Sequence, residues 1–403
     1  MGRNSGVKQY RLSICILVVS LIAVILIGVI LVNRGISGFN LNIYNYFASF
    51  YYHGQNPYNV PDVVTKDINE TFRATVYLDY TGFQQAIYNL CFAVQWSIWW
   101  KLNGFLLYSL GLITATMLSL YTLQRRALIS TNEYVWVSVL IFAPYTWYVL
   151  FIRSFEDKII FMLLPPFILL ARAMSCRFVA WSLGVLTGLV GVPGIILPVL
   201  VIDALQSGGE KSSNNFRRAI VVISFFGFGL MLAMIPYFPD ALIGWTRRAA
   251  LENGVPRWFS VWQLIGGAYS PGLNKLIIGG LSLWVYVLSW RRKLSFAAAV
   301  VVLLSFPFFF SISMESHRLV PVLVMLPLAF ETARVRGWYS AGCFCFLLLF
   351  LIVDVRDDML YKYPATHVKL KTAFLCAPAI MGYGLLFMEY VVGGRRDVKS
   401  SSG

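Results

Sequence analysis

Charge is what this chain of 403 residues has least of: Asp, Glu, Lys and Arg together make 13% of it, about half the quarter usual in soluble domains. That excludes a disordered protein, which needs charge in place of apolar residues, and a soluble enzyme with one small anchor. The same composition excludes a disulfide-stapled secreted domain, and the six cysteines form no CxxC pair. Cys15, Cys91, Cys176, Cys343, Cys345 and Cys376 sit mostly inside apolar runs and read as small apolar fillers. No internal repeat is visible.

What fills the chain is hydrocarbon. Apolar residues make up 58% and the mean hydropathy is +0.70. Roughly twelve spans of about 20 residues each would leave about 160 residues for loops, too few to contain a large soluble domain. The expected fold is an all-α polytopic membrane protein, a bundle of about 12 transmembrane helices in a single domain over 1–403.

The first apolar run, Leu12–Val32, follows Arg3, Lys8 and Arg11. At about 21 residues it is longer than a signal-peptide core of about 7–15, so it reads as a true span with a cytoplasmic N-terminus. Residues 33–101 form a large first outer loop rich in Tyr. Within it, Phe83–Trp100 carries Gln84, Gln85, Asn89 and Gln95 and ends in Trp96, Trp99 and Trp100. This favours a helix lying in the bilayer interface.

Further spans are expected at Gly104–Leu123, Tyr134–Ile152, Ile159–Leu170 and Phe178–Leu189, then at Ile195–Ile202, Ala219–Ile235 and Leu273–Trp290. The last four are Phe296–Ile312, Leu319–Phe330, Trp338–Val353 and Ala373–Val392, before a cytoplasmic tail at 393–403. Gly191-Val192-Pro193-Gly194 breaks the helix between two short members.

The net charge of +15 would raise the question of nucleic acid in a soluble protein. Here the cytoplasmic segments of the twelve-span layout hold more than half of the basic residues and one third of the acids, as the positive-inside rule requires. The expected partner is therefore the bilayer, with no nucleic acid. The tail Ser400-Ser401-Ser402-Gly403 carries no retention signal, favouring a cell membrane over the endoplasmic reticulum. The expected localisation is multi-pass in the cell membrane, both termini cytoplasmic.

The middles of the spans are almost free of charge, which argues against an ion-coupled transporter. Acids gather instead in outer loops: Asp62, Asp67, Glu70 and Asp79, then Glu156-Asp157-Lys158, Asp240 and Glu252, Glu315, and Asp354, Asp357 and Asp358. Arg247, Arg248, Arg257, His317 and Arg318 share that face. Carboxylates suit general-base work or a metal; Arg and His suit a phosphate. Acid and base at one interface of a lipid-embedded chain fit a lipid-phosphate substrate. No ligand spacing demands a divalent metal, although the carboxylates permit one. A solvated outer surface, an N-terminal helix turn at Glu156-Asp157, a helix cap at His317 and an aromatic belt are the plainer readings of the same residues.

Several segments together resemble the GT-C glycosyltransferases, most closely the polyprenyl-phosphate-mannose-dependent mannosyltransferases. They are Gly38-Phe39-Asn40-Leu41-Asn42-Ile43-Tyr44-Asn45-Tyr46-Phe47-Ala48, Gly54-Gln55-Asn56-Pro57-Tyr58, Tyr80-Thr81-Gly82, Phe155-Glu156-Asp157-Lys158, and Glu315-Ser316-His317-Arg318 running into Pro321. The resemblance implies a GT-C-like bundle whose first outer loop carries interfacial helices. It implies transfer of a hexose, mannose in that group, from a polyprenyl-phosphate donor to a lipid, glycan or protein acceptor at the outer face. His317 and Arg318, with Arg247, Arg248 and Lys158, would hold the donor phosphate. The family's catalytic acid aligns with Asn40, which cannot act as a base. Asp62, Asp67 or Asp79, with Asp79 first among them, or Glu156 or Asp157 of the second loop, would then supply the carboxylate. Two other readings stay open: a catalytically silent relative that binds sugar lipids, and a transporter or flippase of polyprenyl-linked sugars.

Overall fold

The computed structural model describes residues 3–33, 86–87, 89–90, 104–148, 164–190, 192–206, 212–240, 242–243, 261–264, 270–310, 316–354 and 364–392. Among them there is no strand. The helices in chain order are α1 (Arg3–Asn33), α2 (Gly104–Arg125), α3 (Thr131–Ile141), α4 (Pro144–Tyr148), α5 (Leu164–Ala173), α6 (Cys176–Val190) and α7 (Leu197–Gln206). They continue with α8 (Ser212–Met234), α9 (Val261–Leu264), α10 (Pro271–Trp290), α11 (Phe296–Phe309), α12 (Ser316–Met325), α13 (Ala333–Asp354) and α14 (Pro364–Phe387). Short 3₁₀ turns at Val192–Ile196 and Leu326–Ala329 and a π turn at Met388–Val392 complete the path.

Three of these helices are long and apolar enough to cross a membrane: Arg11–Ile30, Asn214–Met234 and Pro271–Trp290, with mean hydropathies of 3.2, 1.7 and 1.3. Twenty residues at 1.5 Å each reach about 30 Å, the thickness of a bilayer's hydrocarbon core. Their outward faces agree. Val19, Ile22, Ile25 and Val29 on α1 and Phe216, Ile223, Phe228 and Met231 on α8 are exposed, a pattern that water penalises and hydrocarbon does not.

Helix ends follow local chemistry. Ser130 and Glu133 form a capping box at the start of α3, each side chain accepting from the other's backbone N–H. Ser270 caps α10, accepting from the Leu273 N–H at 3.3 Å, with Pro271 in the first turn. Pro165 and Pro166 stand in the first turn of α5, where a missing N–H costs nothing. The span expected at 134–152 is broken: α3 ends at Ile141 and α4 starts at Pro144, because proline has no N–H to donate and its ring clashes with the preceding turn. The break expected at Gly191-Val192-Pro193-Gly194 is present as the 3₁₀ turn Val192–Ile196 between α6 and α7.

The chain divides into two compact units. One comprises Met1–Ser13, Gln124–Thr146 and Pro256–Gly403. Its core helix is α11, buried continuously from Ala298 to Phe306, as a helix apolar on all sides must be. The 3₁₀ turn Leu326–Ala329 is buried as well.

The other unit comprises Ile14–Leu123 and Trp147–Val255. Its most intimate contact is between α6 and α8. A Cβ on Gly184 would stand 2.1 Å from the Phe226 carbonyl oxygen, and one on Gly229 equally close to that of Trp181. The two backbones touch, so only glycine fits at either position. Gly184 with Gly188, and Gly229 with Ala233, repeat the small-xxx-small spacing that lets membrane helices approach closely.

Five of the six cysteines are described, and all five are free thiols. Cys343 and Cys376 are buried fillers as expected, whereas Cys15, Cys176 and Cys345 lie on exposed faces. Cys343 and Cys345 differ because two residues turn a helix by more than half a circle.

Candidate functional site

Of the nine residues that the sequence singles out, His317 and Arg318 occupy the first turn of α12. Asn40, Asp79, Glu156, Asp157, Lys158, Arg247 and Arg248 lie outside the described residues. The same holds for most of the expected interfacial piece 83–100. Its described residues 86–87 and 89–90 are helical, and the buried Asn89 donates from Nδ2 to the Tyr237 hydroxyl at 2.7 Å.

The described residues gather a different polar group, in the unit built around α11. Arg336, on the first turns of α13, is 4% exposed, and its guanidinium lies 3.2 Å from the Glu133 carboxylate, itself 14% exposed. Its other donors are used on the Pro327 carbonyl at 3.0 Å, the Ser130 hydroxyl at 3.2 Å and the Phe330 carbonyl. The fork-shaped guanidinium thus joins the start of α3 to buried carbonyls in and just after the Leu326–Ala329 turn.

Glu389 supplies the second half. One carboxylate oxygen accepts the Glu331 N–H at 3.2 Å; the other accepts the Thr332 N–H at 3.0 Å and the Thr332 hydroxyl. A carboxylate from the last helical turn therefore caps the start of α13, where free N–H groups and the helix dipole favour negative charge. Tyr390 donates to the Ala329 carbonyl at 2.9 Å.

The electrostatics follow the same layout. Burial lowers the Arg336 guanidinium from its usual value, and the charges of Glu133 and Glu389 act against that. The Glu331 carboxyl is raised, first by desolvation and then by the Glu389 charge, while a hydrogen bond with Tyr390 lowers it.

This cluster fastens helix ends. Arg336 spends its donors inside the protein, and the two carboxylates of Glu133 and Glu389 act on one guanidinium, so an incoming phosphate would meet excess negative charge. Arg336, Glu133 and Glu389 are not among the residues that the sequence singles out. The spacing Ser130-x-x-Glu133 was the one local signal present. Among the described residues no group of three or more His, Cys, Asp or Glu is placed to hold a metal ion; the outer loops expected to supply such carboxylates lie largely outside those residues.

Comparison with protein-family models, with curated proteins and with solved structures finds no match.

Proposed function

We propose that this chain is a multi-pass membrane glycosyltransferase of GT-C type, a bundle of about 12 spans in the cell membrane. It moves a hexose, mannose by the resemblance, from a polyprenyl-phosphate donor to a lipid, glycan or protein acceptor at the outer face. The observation that carries this reading is the place of His317 and Arg318 in the first turn of the ten-residue helix α12. A helix N-terminus offers free N–H groups and a positive dipole end to a phosphate, and this one carries two basic residue types as well.

In the reaction, the acceptor hydroxyl oxygen forms a bond to the sugar's anomeric carbon as the bond from that carbon to the phosphate oxygen breaks. The proton passes to a carboxylate, with Asp79 first in order and Glu156 or Asp157 next. The electron pair leaves with polyprenyl phosphate, whose growing charge His317 and Arg318, with Arg247, Arg248 and Lys158, offset.

The test reconstitutes the purified chain in lipid with a sugar-labelled polyprenyl-phosphate donor and a lipid and glycan extract. Label should move to a new product. His317→Ala and Asp79→Asn should each lower transfer by about 100-fold or more at unchanged protein level. Unchanged turnover in both variants removes those residues from the site. Saturable donor binding without any transfer would favour the silent sugar-lipid binder, the reading supported by Asn40 in place of the family's acid.

A further inference from the structure

A cavity of about 410 Å³ lies between α10, α11 and α14, within the range of roughly 300–1,000 Å³ typical of small-molecule sites. Trp284, Phe306, Tyr383 and Phe387 form its walls, and its lining is apolar nearly throughout. Two lining residues, Ile380 and Phe387, are more than half exposed, so the cavity opens at the surface of its unit. In a membrane the medium on that side is lipid chains.

Residues of both charge signs neighbour lining residues of the cavity along the chain. Its wall residue Leu294 directly follows Arg291, Arg292 and Lys293, all exposed in the turn between α10 and α11. Its wall residue Tyr390 directly follows Glu389, which binds the backbone of Glu331 and Thr332. Glu331, bonded to Glu389 through its backbone N–H, is itself exposed.

We propose that this cavity holds one acyl chain of a zwitterionic, primary-amine phospholipid, its phosphate beside Arg291–Lys293 and its ammonium beside Glu331. The volume suits a single chain, whereas a long isoprenoid carrier would overrun it. The carboxylates oppose a lone phosphate and complement an ammonium. The inference rests on the membrane-spanning reading and is independent of sugar transfer.

Gly384 lines the cavity, and a Cβ there would meet nothing within 4 Å, so Gly384→Phe fills the space without a backbone clash. Gly279 is equally open, exposed, and away from the lining, so Gly279→Phe is the matched control. The full chain in mild detergent is offered phosphatidylethanolamine, phosphatidylglycerol or polyprenyl phosphate singly, and retained lipid is read by native mass spectrometry. Wild type should retain one phosphatidylethanolamine, about fivefold more than phosphatidylglycerol, and Gly384→Phe should lose it about tenfold while Gly279→Phe keeps it. Glu331→Gln should erase the preference between the two phospholipids.

A second measurement does not depend on how Gly384→Phe folds. Phosphatidylethanolamine brominated on its acyl chains should quench wild-type fluorescence more than that of Trp284→Phe. Preferential retention of polyprenyl phosphate, equal retention of both phospholipids, retention indifferent to Gly384→Phe, or quenching indifferent to Trp284 each overturns the proposal.

Discussion

In one unit α6 and α8 meet backbone to backbone, with Gly184 and Gly229 each facing a carbonyl oxygen of the other helix. In the other, α3, α13 and the end of α14 are joined through side chains, by Arg336 on Glu133 and Glu389 on the start of α13. Lipid gives helices no hydrophobic reason to associate, so close packing and hydrogen bonds must do it. The first contact depends on the absence of atoms and is indifferent to charge. The second depends on every donor and acceptor being matched, and so on charge and pH.

Removing Arg336 should have the largest effect. Arg336→Met leaves Glu133 without its cation and the Pro327 and Phe330 carbonyls without their donor. Breaking one side of a buried pair costs about 3–5 kcal/mol. Hydrogen exchange should show the loss of protection at Leu326–Arg336 and leave α6 and α8 unchanged. Arg336→Lys keeps the charge without the fork and should recover only part of the protection. Equal loss in α6 and α8 would break the comparison.

A methyl group at the glycine contact comes next. Gly229→Ala drives a carbon against the Trp181 carbonyl oxygen and should cost about 1–3 kcal/mol, the usual range for overpacking. Gly227, two residues away, has open space where its Cβ would be. Gly227→Ala should be neutral or stabilise by up to about 1 kcal/mol, because alanine suits a helix better. Thermal melting of monodisperse protein separates the two. If both variants behave alike, the close approach of α6 and α8 is not what holds the pair.

Apolar runs made most helices legible in the sequence. Expected Leu273–Trp290 is Pro271–Trp290, and expected Gly104–Leu123 is Gly104–Arg125. Expected Ala219–Ile235 starts earlier, at Ser212, since helical hydrogen bonding continues past the end of hydrophobicity. The break at Pro144 interrupts a run whose hydropathy does not change there. The Arg336 latch was not legible because its side-chain partners, Glu133 and Ser130, are distant in sequence: Ser130 is 206 residues away, and pairings of that kind leave no periodic mark. The glycine contact had a spacing signal, but spacing alone does not name the partner helix. Of the site expected from the outer loops, His317 and Arg318 fall at a helix start, where a plain cap and a phosphate site look the same in sequence.

The smallest expected effect separates the two kinds of contact by pH. Glu331 has a raised carboxyl in the fold, so between the usual carboxylate value and the raised one the folded chain holds more of its proton than the unfolded chain does. Stability must then fall as pH rises through that window and stay level below it. The residue is exposed, so screening keeps the slope shallow. Glu331→Gln carries no titrating proton and should flatten the slope, while Gly229→Ala should shift the melting temperature by the same amount at every pH. Melting curves of the three proteins, taken from below the usual carboxylate value to neutrality, test both. Parallel curves for wild type and Glu331→Gln would remove Glu331 from the charge-dependent contact. A pH-dependent shift in Gly229→Ala would mean that the glycine contact is not governed by shape alone.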